Sequence, residues 1–153
     1  MNHKIIEIGE EHHLTIPGEP YPCPRPKINR STGRAFYPGG YLLQKKNGEL
    51  LLQNQWKKPP IYCGIIVEIL FLHRLPKSKF RKKTADKRIP KICGKGDIDN
   101  FVKSIFDVLQ GGQVIANDSQ VFQFKAVAWY ASQSEPSRTE IIIKEIIAAE
   151  WTV

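Results

Sequence analysis

The feature that most limits how this chain can fold is an apolar segment near its middle. Residues 61–75, IYCGIIVEILFLHRL, are apolar at nearly every position and rich in β-branched and aromatic side chains. Such a run is typical of a strand covered on both faces, because a half-exposed strand alternates apolar with polar residues. The segment therefore predicts a central strand around which the other elements are arranged.

The chain before this strand predicts one short strand and some helix. KIIEI, residues 4–8, predicts a short first strand, and the proline-rich stretch that follows it predicts a stiff, extended loop. Residues 40–56 predict a helix or two shorter helical pieces, because Asn47-Gly48 is able to form a turn within them.

The chain after the central strand predicts a helix, a hairpin and a last strand. Apolar residues at helical spacing predict a helix over residues 100–110, which two glycines stop. Residues 114–116 and 121–130 predict a hairpin with Asn-Asp-Ser at its turn, and TEIIIKEI, residues 139–146, predicts a closing strand. This order predicts an α+β fold: one domain over residues 1–153, with a mixed β-sheet flanked by helices.

Composition and targeting signals narrow the class of protein. The 153 residues suit one domain, and 41% hydrophobic with 25% charged residues is ordinary for a globular protein. No apolar run approaches the roughly 18 residues of a membrane helix, and the first residues lack a signal peptide. We therefore expect a cytoplasmic protein without a membrane partner. Three cysteines without a C-x-x-C pair predict neither a disulfide framework nor a zinc knuckle.

The net charge of +8 is concentrated in two segments. Residues 74–95 carry ten Lys or Arg and one acid, and residues 25–58 carry eight Lys or Arg and one acid. Concentrated positive charge suits a polyanion such as nucleic acid, although a single basic run is more often a solvated loop. Tyr37 and Tyr41 lie within residues 25–58, where they either stack on bases or, as we favour, cover the edge of the core.

The sequence KGDIDNFVKSIFD, residues 95–107, places two carboxylates at the predicted start of a helix. One aspartate satisfies the need for an N-cap, which leaves the second of Asp97 and Asp99 unexplained. Two carboxylates at i and i+2 of an extended segment suit Mg²⁺ or Mn²⁺. Lys103, one turn later, either pairs with Asp99 or stabilises charge on a phosphate. From these residues alone a capped helix and a metal site are equally consistent, and Asp118 is only a turn residue.

The same stretch resembles a known family once its continuation is included. KGDIDNFVKSIFDVLQGGQVIANDSQV resembles the signature of the RusA-type Holliday junction resolvases, which phages and prophages commonly encode. LTIPGEPYPCPRPKINRSTGRAFYP resembles the amino-terminal segment of that family, and IIVEILFLHRLPKSKFRKK resembles its strand and basic loop. The resemblance covers about residues 14–130. Gly96 stands where the family usually has proline, and Asn117 where it usually has the first of two aspartates.

The resemblance implies a homodimeric endodeoxyribonuclease that resolves four-way DNA by paired symmetric nicks in recombination and repair. It assigns Asp97, Asp99 and Asp118 as ligands of Mg²⁺, for which Mn²⁺ substitutes, and Lys103 as the essential lysine. It implies no organic cofactor. Together with the charge pattern, it predicts DNA-backbone contacts by Arg25, Lys27, Arg30, Arg34, Lys77, Lys79, Arg81, Lys82, Lys83, Lys87, Arg88 and Lys95.

Two other functional classes remain open from the sequence. The chain could be a non-catalytic module that binds branched DNA, such as a phage regulatory factor, in which the carboxylates only cap and pair. It could also be a metal-dependent nuclease that acts on flaps, replication forks or RNA.

Overall fold

The apolar segment forms the central strand of a five-stranded mixed sheet, as predicted. The computed structural model describes residues 6–92 and 96–149. Cys93 and Lys95, the latter predicted to contact DNA, lie outside these residues. The elements in chain order are β1 (Ile6–Pro17), β2 (Lys27–Ile28), β3 (Ala35–Phe36), α1 (Tyr41–Gln55), β4 (Ile65–His73), β5 (Ile89–Pro90), α2 (Ile98–Gly111), β6 (Val121–Tyr130) and β7 (Arg138–Ala149).

The strand order of the main sheet is β1-β7-β4-β6-β5. β4 pairs antiparallel with β7 and parallel with β6, which makes the sheet mixed. The predicted hairpin between residues 114–116 and 121–130 is wrong, because β6 pairs with β4 on one side and with β5 on the other. Instead, Ile115 forms an isolated parallel bridge with Ile61, and β6 runs beside β4 because α2 supplies the long connection that parallel strands need.

Both helices pack on one face of the sheet and form the core with it. Alternate residues of β4, such as Ile65, Val67 and Ile69, are buried against Leu52 of α1 and Leu109 of α2. On the other face, Ile66, Glu68 and Leu70 are only half-buried and Leu72 alone is fully buried, so this face of the central strand is covered only near its end.

The first helix is continuous through Asn47-Gly48, where a turn had been considered. Gly48 is buried, and a Cβ atom at this position would lie 3.0 Å from Cγ1 of Val108 on α2. The glycine therefore permits the close approach of the two helices rather than a reversal of the chain.

The first strand is longer than predicted. β1 continues through HHLTIP to Pro17 because it pairs along its length with β7, from Ile6↔Ala149 to Pro17↔Arg138. The extended loop therefore begins at Gly18, whose φ of 97° favours glycine. Among the described residues, no helix has the length and apolar character needed to cross a membrane.

Candidate metal and nucleic-acid site

Asp97 and Asp99 lie at the start of α2, and neither carboxylate is used to cap it. Asp97 occupies the N-cap position with extended backbone angles, yet its side chain accepts no hydrogen bond from the first turn. Asp99 lies in that first turn, where the helix dipole favours a negative charge. Both side chains are exposed. The two carboxylates are therefore available to bind a cation.

Lys103 lies one turn after Asp99 on the exposed side of α2. In the described parts of the chain its ammonium forms no ion pair, so the pair with Asp99, one of the two roles considered for Lys103, is not present there. Asp107, farther along this helix, has a structural role. Asp107 accepts a hydrogen bond of 3.1 Å from the hydroxyl of Tyr41, which is almost fully buried. Burial, the nearby Cys23 and the Asp107 charge raise the pKa of Tyr41 above its usual range.

Asp118 begins a 3₁₀ turn, Asp118–Gln120, that a network of amide side chains holds in place. The side-chain oxygen of Asn117 accepts from the Ser119 N–H at 2.8 Å, and the Asn117 N–H donates to Gln120 Oε1 at 2.7 Å. The Asp118 N–H donates to Oε1 of Gln110 at 3.1 Å, which attaches the turn to the last residues of α2. These bonds occupy backbone and amide groups, and the exposed Asp118 carboxylate has no hydrogen-bond or ion-pair partner among the described residues.

The Asp118 carboxylate is at the opposite end of α2 from Asp97 and Asp99. Fourteen residues of helix span about 20 Å. β6 returns along α2, because Phe124 contacts Phe106 in mid-helix and Ala128 lines a cavity with Asp97. Accordingly, within residues 6–92 and 96–149 the three aspartates do not bring ligand atoms within 4.8 Å of one another. One copy of the chain thus presents a pair of carboxylates and, separately, a single one.

Two basic segments meet at the start of α2. The first is the exposed hairpin of β2 and β3, which carries Arg25, Lys27, Arg30 and Arg34. The chain that leads into this hairpin is attached to α2, because the Cys23 N–H donates to the Asn100 carbonyl at 3.0 Å. The second segment ends beside Asp97, since Lys91 and Ile92 line a cavity of about 560 Å³ with Asp97 and Phe101. Lys91 and the base of the basic hairpin therefore both lie at the start of α2, where the carboxylate pair is.

The second basic segment, residues 76–92, forms two exposed 3₁₀ turns, Lys77–Lys79 and Lys82–Thr84, and then β5. One of its cationic side chains, Arg88, is held in an ion pair. Arg88 makes a bidentate contact with Glu135, at 2.6 Å for the shortest distance, and this hydrogen bond lowers the pKa of Glu135 to about 2. The predicted DNA-contacting residues in the described segments are all exposed, namely Arg25, Lys27, Arg30, Arg34, Lys77, Lys79, Arg81, Lys82, Lys83, Lys87 and Arg88.

The sequence profile of the family described as endodeoxyribonuclease RusA matches residues 17–144 of this chain. The chain belongs to the RusA endodeoxyribonuclease family. A curated relative, the uncharacterized protein YqaN of Bacillus subtilis (strain 168), is 29% identical over 141 aligned residues, covering 88% of this chain and 96% of the relative. The matched region contains the three aspartates, Lys103 and both basic segments.

The two departures from the RusA signature have local structural reasons. Gly96 has a φ of 85°, which proline cannot adopt, and a Cβ atom there would lie 2.7 Å from Cε2 of Phe101. Asn117 uses its side-chain oxygen to cap the turn that presents Asp118. The Asn117 side chain thus stabilises the turn.

Two residues near the site were missed by reasoning from the sequence. Gln120, whose amide nitrogen donates to the carbonyls of Ile61 and Cys63 at 2.8 Å each, anchors the Asp118 turn to the chain before β4. Lys91 was left out of the predicted DNA contacts, although it lines the same cavity as Asp97. The alternation of β6 gave no sign of the Gln120 contacts, whereas the charge run did contain Lys91.

Proposed function

We propose that this chain, as a single RusA-like domain over residues 1–153, is a Mg²⁺-dependent endodeoxyribonuclease that resolves four-way DNA junctions in the cytoplasm. The observation that carries the proposal is the free carboxylate pair Asp97 and Asp99 at a helix start where two basic segments meet. Membership of the RusA family supports the reaction class. The carboxylate pair and the two basic segments support the start of α2 as the place where the scissile phosphate binds.

The donor set of this site fits Mg²⁺. Exposed carboxylates that are not engaged in capping are hard oxygen ligands, and Mg²⁺ keeps several waters beside one or two of them. Mn²⁺ accepts the same ligands and should substitute. When bound, the ion supplies Lewis acidity at a phosphate oxygen and a water of lowered pKa. No organic cofactor is required for hydrolysis of a phosphodiester.

The side chains of this chain have separate tasks in the proposed reaction. Asp97 and Asp99 hold the cation against the start of α2. Lys103, one turn along the same helix, places an ammonium without an ion-pair partner among the described residues where negative charge develops on the scissile phosphate. The exposed lysines and arginines of the two basic segments hold the flanking phosphates without reading the base sequence.

Asp118 enters the site from a second copy of the chain in our proposal. One copy holds Asp118 beside the far end of α2, a helix about 20 Å long, and so away from the carboxylate pair at its start. A two-fold axis that sets the two α2 helices antiparallel brings Asp118 of each copy to the Asp97–Asp99 pair of the other. The homodimer then has two equal sites, as paired symmetric nicks require.

Mixing two inactive variants tests this arrangement. Asp97→Asn/Asp99→Asn and Asp118→Asn are each expected to be inactive on a synthetic four-way junction with Mg²⁺. Their heterodimer retains one site with all three carboxylates if Asp118 is shared, and we expect it to nick one strand. A mixture that remains inactive although the heterodimer has formed refutes sharing. Full activity of either variant alone refutes the ligand assignment.

Two control reactions separate the other functional classes. A binding module or regulatory factor predicts junction binding that EDTA does not change and no nicking at any Mg²⁺ concentration. A nuclease for flaps, forks or RNA predicts faster cleavage of those substrates than of the four-way junction under the same conditions.

A further inference from the structure

A second group of metal-ligating side chains lies at the end of the sheet where β1 and β7 approach the segment before β4. Glu10 and His12 belong to β1, Glu145 belongs to β7, and Cys63 lies two residues before β4. Together with Trp56 they line a cavity of about 360 Å³. None of them has a part in the proposed nuclease reaction.

Three of the donor residues of this group are close enough to share one ion, and the Cys63 thiol lies beside one of them. Glu10, His12 and Glu145 each offer a ligand atom within 4.8 Å of the other two. His12 Nε2 lies 2.8 Å from one oxygen of Glu145, and Cys63 Sγ lies 3.7 Å from the other. Tetrahedral zinc with arms of about 2.0 Å to oxygen and 2.3 Å to sulfur separates those two ligands by about 3.5 Å. The Cys63–Glu145 distance is already near this value.

The surroundings of the group hold the His12 imidazole in place and leave the Glu10 carboxylate able to move. His12 is 8% exposed, and its ring meets the Trp56 ring edge-on at 4.8 Å. Glu10 is 60% exposed, so its carboxylate can move the remaining distance toward an ion. The ammonium of Lys58 lies 2.8 Å from Glu10 and now supplies the positive charge beside this carboxylate.

We propose that Glu10, His12, Cys63 and Glu145 form a binding site for a transition-metal ion of the Zn²⁺ class, separate from the nuclease site. Imidazole, thiolate and carboxylate together select Zn²⁺ over Mg²⁺, which prefers oxygen ligands alone. The thiol proton is released to solvent when Cys63 binds the ion. The site joins the edge strand β1 and its neighbour β7 to the chain before β4, and Lys58 is the cation that the metal displaces.

Co²⁺ titration of the full-length Asp97→Asn/Asp99→Asn protein tests the proposal, because that background lacks the carboxylate pair proposed for Mg²⁺. We expect one Co²⁺ per chain, a thiolate-to-Co²⁺ charge-transfer band, and displacement by Zn²⁺ but not by Mg²⁺. In the same background, Cys63→Ser should remove the band, and Glu145→Gln should weaken binding by about tenfold or more. Circular dichroism verifies that each variant is folded.

Two further variants make the outcome specific. Lys58→Met removes the competing ammonium and should tighten Co²⁺ binding several-fold, whereas an ion-pair cluster without a metal function would only lose stability. Cys23→Ser, a thiol change outside the cluster, should leave the band unchanged. Absence of stoichiometric Co²⁺ uptake overturns the proposal, and so does uptake that Cys63→Ser and Glu145→Gln leave unaltered. This inference does not depend on the nuclease reaction, because its readouts are metal content and absorption.

Discussion

Replacement of Gln120 by alanine tests whether amide contacts, rather than the carboxylate itself, fix the Asp118 turn. The Gln120 side chain makes three hydrogen bonds: to the Ile61 carbonyl at 2.8 Å, to the Cys63 carbonyl at 2.8 Å and from the Asn117 N–H at 2.7 Å. With a net contribution of about 1 kcal/mol for each bond, Gln120→Ala should lower the free energy of unfolding by about 3 kcal/mol.

Urea denaturation followed by circular dichroism measures this loss, and amide exchange localises it. We expect faster exchange at the Asn117 and Ser119 N–H groups than in the unmodified protein, because the turn loses its anchor. Junction cleavage should fall as well under conditions where the variant is folded, since Asp118 is no longer held in one position.

Two variants provide the comparison for Gln120→Ala. Gln120→Glu keeps the acceptor for the Asn117 N–H but turns a carboxylate oxygen toward two carbonyls, so it should lose at least 2 kcal/mol, roughly two of the three bonds. Gln123→Ala changes an exposed glutamine of β6 and should stay within about 0.5 kcal/mol. If Gln120→Ala also stays within that limit, the turn does not depend on these bonds and the reasoning is refuted.

Three further predictions concern packing, acid stability and DNA binding. Gly48→Val should overfill the contact between the helices and lower the free energy of unfolding by about 1–3 kcal/mol in urea denaturation; unchanged stability would contradict the close approach. Because Arg88 holds the pKa of Glu135 at about 2, below its unfolded value, the pair stabilises the fold above pH 4.5. Thermal unfolding should lose this stability as the pH falls from 4.5 toward about 2, and Glu135→Gln should show a smaller loss over that window. Lys82→Ala/Lys83→Ala should reduce the slope of log K against log salt for junction binding by about 2, and an unchanged slope would exclude phosphate contacts there.

The sequence predicted the helices and strands of this fold better than it predicted which strands pair with one another. The apolar run was correctly identified as the central strand, and helical spacing identified α2. Residues 114–116 were wrongly assigned to a hairpin, because proximity in the chain favours local pairing and only tertiary structure shows β6 parallel to β4. The extent of β1 was likewise hidden, since its partner β7 lies more than a hundred residues away.

Prediction of the site had a similar limit. The pattern of Asp97, Asp99 and Lys103 identified a helix start with an excess carboxylate, and the structure places all three along one helix. The sequence could not tell that Asp118 lies at the far end of that helix, because spacing along the chain does not give direction in space. Nor could it reveal the grouping of His12 with Cys63 and Glu145, which come from three separate strands or their approaches.

The position of β7 has a consequence for synthesis of the protein. β7 lies between β1 and β4, yet it is the last of the described strands to be made, so β1 has no strand partner until about residue 149 has left the ribosome. At 5–20 residues per second, the N-terminal strand waits on the order of ten seconds for this partner. The sheet therefore closes only after β7 has been made, and a nascent chain that still lacks β7 cannot pair β1 with the rest of the sheet.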